Sequence, residues 1–194
     1  MNTTYKIYCI GSVLFDKTKN YIFSNSKDYE QPERIYEINN TPLDNLYNLT
    51  YDSTKIIDRL YLGNSYNARD FYSLEDNNIG LIVNSSPCVP NYFIDYFDYF
   101  NVNVKDIEGQ NMLIHLEKVV EYMNDYLSLN SDKSIFVHCF MGCSRSVTII
   151  IAYLIRYNNF RLRDAMNFIK EKRDIVNLNK DFFNQLVEYE KKYL

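Results

Sequence analysis

Hydrophobic residues recur along this chain in two rhythms, short unbroken blocks and longer stripes with three- and four-residue spacing. The blocks predict strands: Ile56-Ile57-Asp58, Leu60-Tyr61-Leu62-Gly63, Ile79 to Asn84 before Ser85-Ser86-Pro87, and Ile135 to Val137. Tyr99 to Val104 alternates, with Phe100, Val102 and Val104 set against Tyr99, Asn101 and Asn103, and is a further strand. Asn64 or Ser65 is placed to cap a short helix running through Tyr72. The stripe Met112, Leu116, Val119, Val120, Met123, Leu127 predicts an amphipathic helix of about five turns, with Gln110 and Asn111 at its mouth.

Ser144 to about Tyr157 is ambiguous by propensity, because Val147-Thr148-Ile149-Ile150-Ile151 is β-branched. The run is too long for an ordinary strand and apolar on every side, so it is a helix buried all round. Leu162, Ala165, Met166 and Ile169 make another helical stripe, and Phe182, Leu186 and Tyr189, flanked by Phe183 and Val187, the last. Strands interleaved with helices, then helices alone, indicate an α/β sheet with helices packed against it. Residues 1–54 break this pattern. They are rich in Tyr, Asn, Ser and Lys, with strand-like runs at Tyr5–Ile10 and Arg34–Ile38 and breakers at Pro32 and Pro42. The plainer reading is an N-terminal arm packed on the core, preferred over an arm for homodimerisation or substrate docking.

Composition bounds the function. With 194 residues, 46% of them hydrophobic, the chain fills one core, so one domain over residues 55–194 plus the extension is expected. A net charge of −4 and a pI near 5.2 supply no global basic field for nucleic acid or an anionic membrane. No run reaches the roughly 20 apolar residues of a membrane span. Four cysteines, Cys9, Cys88, Cys139 and Cys143, are too few and too unevenly spaced for a disulfide scaffold, which points to a reducing compartment, the cytoplasm with the nucleus also compatible. Sequons at Asn2, Asn39, Asn48 and Asn84 are expected by chance in a chain this rich in asparagine.

One loop carries chemistry. His138-Cys139-Phe140-Met141-Gly142-Cys143-Ser144-Arg145-Ser146 lies between a predicted buried strand and the start of a helix. The backbone N–H groups of residues 140 to 145 and the helix N-terminus can converge on one small anion, forming a phosphate-binding loop (P-loop). Gly142 permits a turn that a side chain would hinder. Arg145 adds a planar fork matched to two phosphate oxygens. That field favours the Cys139 thiolate, so its pKa should fall below about 8.5 and make it a nucleophile. Zinc is disfavoured: His138, Cys139 and Cys143 lack a fourth nearby ligand, and Arg145 would repel the cation.

His138-Cys139-x5-Arg145-Ser146 resembles the signature of the cysteine-dependent protein phosphatases, and Gly142-Cys143-Ser144-Arg145-Ser146 that of their dual-specificity branch. The resemblance runs from about Ile56 to Leu194 through Leu60-Tyr61-Leu62-Gly63, Val83-Asn84, Pro90-Asn91, Asp106, Ala152-Tyr153-Leu154 and Asn179 to Leu186. It implies a phosphotyrosine phosphatase-like fold, a central mixed, mostly parallel sheet flanked by helices. It also implies hydrolysis of phosphotyrosine and phosphoserine or phosphothreonine in proteins, through a phosphocysteine and without metal or other cofactor. Cys139 would be the nucleophile, Arg145 the phosphate clamp, Asp106 the general acid and then base, and Ser146 the hydroxyl that helps the thiolate leave. Residues 140 to 145, namely Phe140, Met141, Gly142, Cys143, Ser144 and Arg145, would bind the phosphate. Asn84 and Asn179 match positions that buttress the loop, and His138 is read as a brace rather than a base.

Glu108 is the substitute acid. Arg173, clustered with Lys170 and Lys172, could reach a second phosphate, but a solvated helix face is preferred. Cys88 and Cys143 are read as small buried residues; Cys88 is the better candidate to trap oxidised Cys139 as a disulfide. His115 is read as exposed. Leu178 replaces the family's usual proline before Asn179, and apolar Phe140 and Met141 disfavour a highly charged lipid headgroup. Two rivals remain: a phosphatase of a non-protein phosphate, and a catalytically silent phosphoprotein-binding module, against which the intact Cys139, Arg145 and Asp106 argue.

Overall fold

Five strands form the sheet. β1 (Thr54–Ile57) turns through Asp58 and Arg59 into antiparallel β2 (Leu60–Gly63); Arg59 takes φ 56° at the turn. β3 (Ile79–Asn84), β4 (Asp98–Asn101) and β5 (Ser134–His138) follow, and the order across the sheet is β1-β2-β5-β3-β4. Every pairing except β1 with β2 is parallel, as expected of a mixed, mostly parallel sheet. The computed structural model describes residues 52–194; the strand-like runs at Tyr5–Ile10 and Arg34–Ile38, Cys9 and almost all of the N-terminal arm lie outside the described residues.

The strands are unbroken apolar blocks because both faces of the sheet are covered. Leu81, Val83, Ile135 and Val137 point into the main core, while Ile82 and Phe136, between them in sequence, join Ala68, Leu74 and Phe93 on the other face. Helix α1 (Phe71–Asp76) contributes to that smaller cluster through Leu74. The main core is closed by α2 (Leu113–Leu129), α3 (Arg145–Asn158), α4 (Leu162–Lys172) and α5 (Lys180–Tyr193). Within α3 every residue from Arg145 to Ile155 is buried, so its β-branched side chains are tolerated because the valine and isoleucines pack into the main core and Thr148 bonds the Ser144 carbonyl. Asn159, left-handed at φ 56°, ends the helix with its N–H on the Leu154 carbonyl.

Two predicted elements are corrected. Asn64 does not cap a helix that runs through Tyr72; its Oδ1 accepts from the N–H groups of Tyr66 and Asn67, just before and at the start of a short 3-10 turn at Asn67–Arg69. The helix proper starts later because Asp70 accepts from the Ser73 N–H and re-nucleates the chain. The strand predicted over Tyr99–Val104 stops at Asn101. Val102 makes the last rung to the Asn84 carbonyl at 2.8 Å, and with β3 ended nothing remains beyond it to pair with, although Val102 and Val104 stay buried in alternation.

Register then places the site. Gly63 pairs with His138, His138 with Asn84, and Asn84 with Asn101, so the four parallel strands end along one edge. The loops leaving that edge contain Ser65, Ser85, Ser86, Asp106 and the segment from Cys139 to Ser144, the usual location of a ligand site in such a sheet.

Candidate active site

Cys139 leaves β5 fully buried, at 1% exposure. Its Sγ receives the Gly142 N–H at 3.1 Å and the Ser146 hydroxyl at 3.2 Å. Burial pushes the thiol up, but the Arg145 charge and the donors from Ser146 and Gly142 outweigh it and hold Cys139 below its ordinary value. The thiolate is therefore stabilised by its own loop.

The loop holds this shape because its carbonyls have donors outside it. A trans peptide points its N–H and C=O in opposite directions, so each carbonyl held outward turns the following N–H inward. Ser65 N–H binds the Phe140 carbonyl at 3.1 Å, Arg173 Nε the Gly142 carbonyl at 2.9 Å, and Asn177 N–H the Cys143 carbonyl at 3.0 Å. Thr148 binds the Ser144 carbonyl twice, through its N–H at 2.8 Å and its hydroxyl at 2.9 Å. Gly142 sits at φ 70°, and an added Cβ would lie 2.6 Å from the Gly63 carbonyl oxygen and 2.7 Å from Arg173 Nη2. Glycine is required there by the backbone angle and by the close approach of β2.

Arg145, the first residue of α3, is 4% exposed, and its Nη1 donates to Ser86 Oγ at 3.1 Å and the Val104 carbonyl at 3.3 Å. Its Nε lies 3.6 Å from Asp106 Oδ2. Asp106 is also held at Oδ1, by the Ser144 hydroxyl at 3.0 Å and Asn179 Nδ2 at 3.4 Å. Asp106, Ser144, Arg145 and Asn179 thus form one cluster, and the Ser144 hydroxyl further accepts the Asn179 N–H at 3.2 Å. Glu108 is exposed and has no place in this cluster.

Asn84 braces a different loop from the one expected: its Nδ2 donates to the Val89 carbonyl at 2.7 Å and Asn91 Oδ1 at 2.9 Å, and its Oδ1 accepts from Ser86 N–H at 3.1 Å. It reaches the Cys139 loop through its sheet pairing with His138 and through Ser85 and Ser86. Ser85 binds the His138 carbonyl through its N–H at 2.9 Å and its hydroxyl at 2.6 Å. His138 stacks on Phe136 at 5.4 Å, with Nδ1 3.4 Å from the Cys139 carbonyl and Nε2 without a hydrogen-bond partner among the described residues. Burial drives its pKa down to about 4, so it is neutral near pH 7 and not a proton donor there.

Phe140 and Met141 are half-buried on the loop. Cys143 is half-buried and its thiol is pushed up to about 12, chiefly by burial and also by the charges of Cys139 and Asp106. Cys88 is not a small buried residue: it is exposed, with Sγ 3.1 Å from Ser86 Oγ, because the loop after β3 turns it outward. His115, expected to be exposed, is half-buried on α2.

Arg173 requires the largest correction. It is 5% exposed rather than part of a solvated face, and it joins the Gly142 carbonyl to Thr54 Oγ1, the latter at 3.1 Å. Only Lys170 and Lys172 of that cluster are exposed. The signal was in the sequence: Ala165, Ile169 and Arg173 recur every four residues, which extends the buried stripe of α4 to its C-terminus. Nor does residue type single out Ser85 and Ser86, which in sequence only mark the end of a strand, although their place at the carboxyl end of a parallel strand is a site position.

Among the described residues no helix is long and apolar enough to cross a membrane. Residues 60–192 match the family model described as dual specificity phosphatase, catalytic domain. The chain is 35% identical over 136 residues to protein phosphatase Slingshot of Drosophila melanogaster, covering 70% of this chain and 13% of that protein. It is 35% identical over 142 residues to "Putative tyrosine phosphatase 123R" of Invertebrate iridescent virus 6, covering 72% of this chain and 93% of that one. The crystal structure of human tyrosine phosphatase-like serine/threonine/tyrosine-interacting protein superposes with a TM-score of 0.68 at 26% identity, over 73% of this chain and 97% of that one.

Proposed function

Because the chain belongs to the dual-specificity phosphatase family, we propose that it hydrolyses phosphotyrosine and phosphoserine or phosphothreonine in phosphorylated proteins, through a phosphocysteine at Cys139. The observation that carries the reading is the buried Cys139 Sγ with two donors at 3.1 and 3.2 Å and a pKa held low against burial. A thiol kept as thiolate in a loop of inward N–H groups is a nucleophile in an oxyanion site.

The steps follow. The Cys139 thiolate attacks phosphorus while the bond from phosphorus to the substrate oxygen breaks, and the Asp106 carboxyl gives its proton to the departing oxygen. Arg145 and the loop N–H groups hold the three equatorial oxygens, where charge develops. Water then attacks the phosphocysteine and loses a proton to Asp106 as sulfur leaves. The Ser146 hydroxyl, already on Sγ, stabilises the returning thiolate. Phe140, Met141, Gly142, Cys143 and Ser144 frame the phosphate by backbone more than by side chain. His138, Asn84 and Asn179 support this arrangement through Phe136, the loop after β3 and Asp106 respectively.

We take residues 55–194 as the catalytic domain and residues 1–54 as an arm. We place the protein in a reducing compartment, the cytoplasm or the nucleus: Cys88, Cys139 and Cys143 are all free, and a nucleophilic thiolate must stay reduced. The test is phosphate release from phosphotyrosine, phosphothreonine and phosphoserine peptides and from an aryl phosphate, by wild type and Cys139→Ser. Turnover by the wild type on all of these classes and loss of at least ~1000-fold in the variant are expected. Turnover of the aryl phosphate but of no phosphopeptide would assign a non-protein substrate, and equal negligible rates would leave a binding module.

A further inference from the structure

The segment that carries Asp106 has little structure of its own. Between β4 and α2, Asp106 to Met112 form no regular element, and the loop's internal hydrogen bonds are long, 3.4 Å from Gln110 N–H to the Ile107 carbonyl and 3.3 Å from Lys105 N–H to Gln110 Oε1. Apart from the Ser144 hydroxyl on Asp106 Oδ1 at 3.0 Å, the shorter bonds come from one place far along the chain. Asp181 Oδ2 accepts the Gly109 N–H at 2.6 Å. Gln185, one turn further along the same face of α5, accepts the N–H groups of Met112 at 2.7 Å and Leu113 at 2.8 Å, and its Nε2 donates to the Gln110 carbonyl at 2.9 Å. Asn179, which caps α5, reaches Asp106 itself.

These bonds go to groups that need them. Gly109 is at φ 76°, a turn that no side-chain contact of its own can hold. Met112 and Leu113 are at the start of α2, where N–H groups lack helical partners and Met112 makes no side-chain cap. Gln185 uses both ends of its amide on the loop. Asp181 and Gln185 are four residues apart, the spacing that puts two side chains on one helix face. A rigid helix therefore grips a short irregular loop at its middle and its end, with the acid near the beginning.

We infer that Asp181 and Gln185 are positioning residues for the proton donor: they fix where Asp106 stands relative to the leaving oxygen. The inference rests on Asp106 being the general acid. Its consequence is selective. A leaving group that is already a stable anion needs no proton, whereas a basic phenol or alcohol needs one at the moment the phosphorus–oxygen bond breaks. A loosened Asp106 should slow the second kind and spare the first. A general collapse of the site would slow both.

The experiment measures kcat/KM of the full chain on a series of aryl phosphates of rising phenol pKa. The variants are Asp106→Asn, Asp181→Ala, Asp181→Asn and Gln185→Leu. Asp181→Ala changes an exposed contact, so it reports even where Gln185→Leu disturbs α5. The expected result is a loss of about tenfold or more in Asp181→Ala and Gln185→Leu on the most basic leaving group, with the best leaving group within about twofold of wild type. Asp106→Asn should show the same slope more steeply, and Asp181→Asn, which keeps an oxygen for Gly109, should recover most of the loss. A steep slope in Asp106→Asn with wild-type slopes in Asp181→Ala and Gln185→Leu would overturn the positioning role. No slope change in Asp106→Asn would overturn the acid assignment beneath it.

Discussion

His138 shows how one side chain can be held in place against its own titration. It is fully buried beside the nucleophile, with a pKa driven from 6.5 to about 4 by burial, with the Arg145 charge adding to the effect. In the unfolded chain it takes up a proton as pH falls below about 6.5; in the folded chain it does not until near 4. Between those values the unfolded state binds more protons, so stability rises with pH through the window and is lost as pH falls. Acidification from pH 7 to 5 should cost roughly 2 kcal/mol through this residue. Urea titrations at the two pH values check this: His138→Gln should lose less stability than wild type over that interval. An equal loss would mean that His138 is not held neutral. At the same scale, Cys139, Arg145 and Asp106 were legible because their chemistry is carried by residue type and spacing. Arg173 is hidden because a charged residue type points to exposure, although its four-residue spacing from Ile169 places it on a buried stripe.

Among the elements, α3 sets propensity against packing. Five consecutive residues, Val147-Thr148-Ile149-Ile150-Ile151, are β-branched, each costing some tenths of a kcal/mol relative to alanine in a helix. Ile150 is 0% exposed within the main core, and deleting its buried methyl and methylene groups costs about 2–5 kcal/mol. Packing wins by several-fold. Ile150→Ala should therefore destabilise the protein by roughly that amount despite its better helix propensity, and Ile150→Val by about 0.5–1.5 kcal/mol, as read from denaturant midpoints. A neutral Ile150→Ala would show that the helix is not held by its buried surface.

The existence of the strands and helices was legible for the same reason, since two covered faces produce unbroken apolar blocks and striped helices. The order β1-β2-β5-β3-β4 was not, because β5 inserts between strands distant from it in sequence and no local pattern encodes that partner. The grip of Asp181 and Gln185 on the loop after Asp106 was equally invisible, being made by backbone groups of the loop, which carry no residue signal.

Across the whole molecule, charge is acidic and phosphate affinity is local. The net charge of −4 supplies no attraction at distance, and what the site offers an anion is Arg145, the loop N–H groups and the first turn of α3. Four residues around the loop each hold one of its carbonyls outward: Ser65 after β2, Ser85 after β3, and Arg173 and Asn177 after α4. The most direct test of that account is chemical. Asp106→Ala slows formation of the intermediate on basic leaving groups and its hydrolysis on all, so with a low-pKa aryl phosphate the phosphoenzyme should accumulate. Rapid quenching and peptide mass analysis should then find one phosphoryl group on the Cys139 peptide, and none in the double variant that also carries Cys139→Ser. Phosphate release with no phosphoryl group at Cys139, or turnover that survives Cys139→Ser, would contradict it.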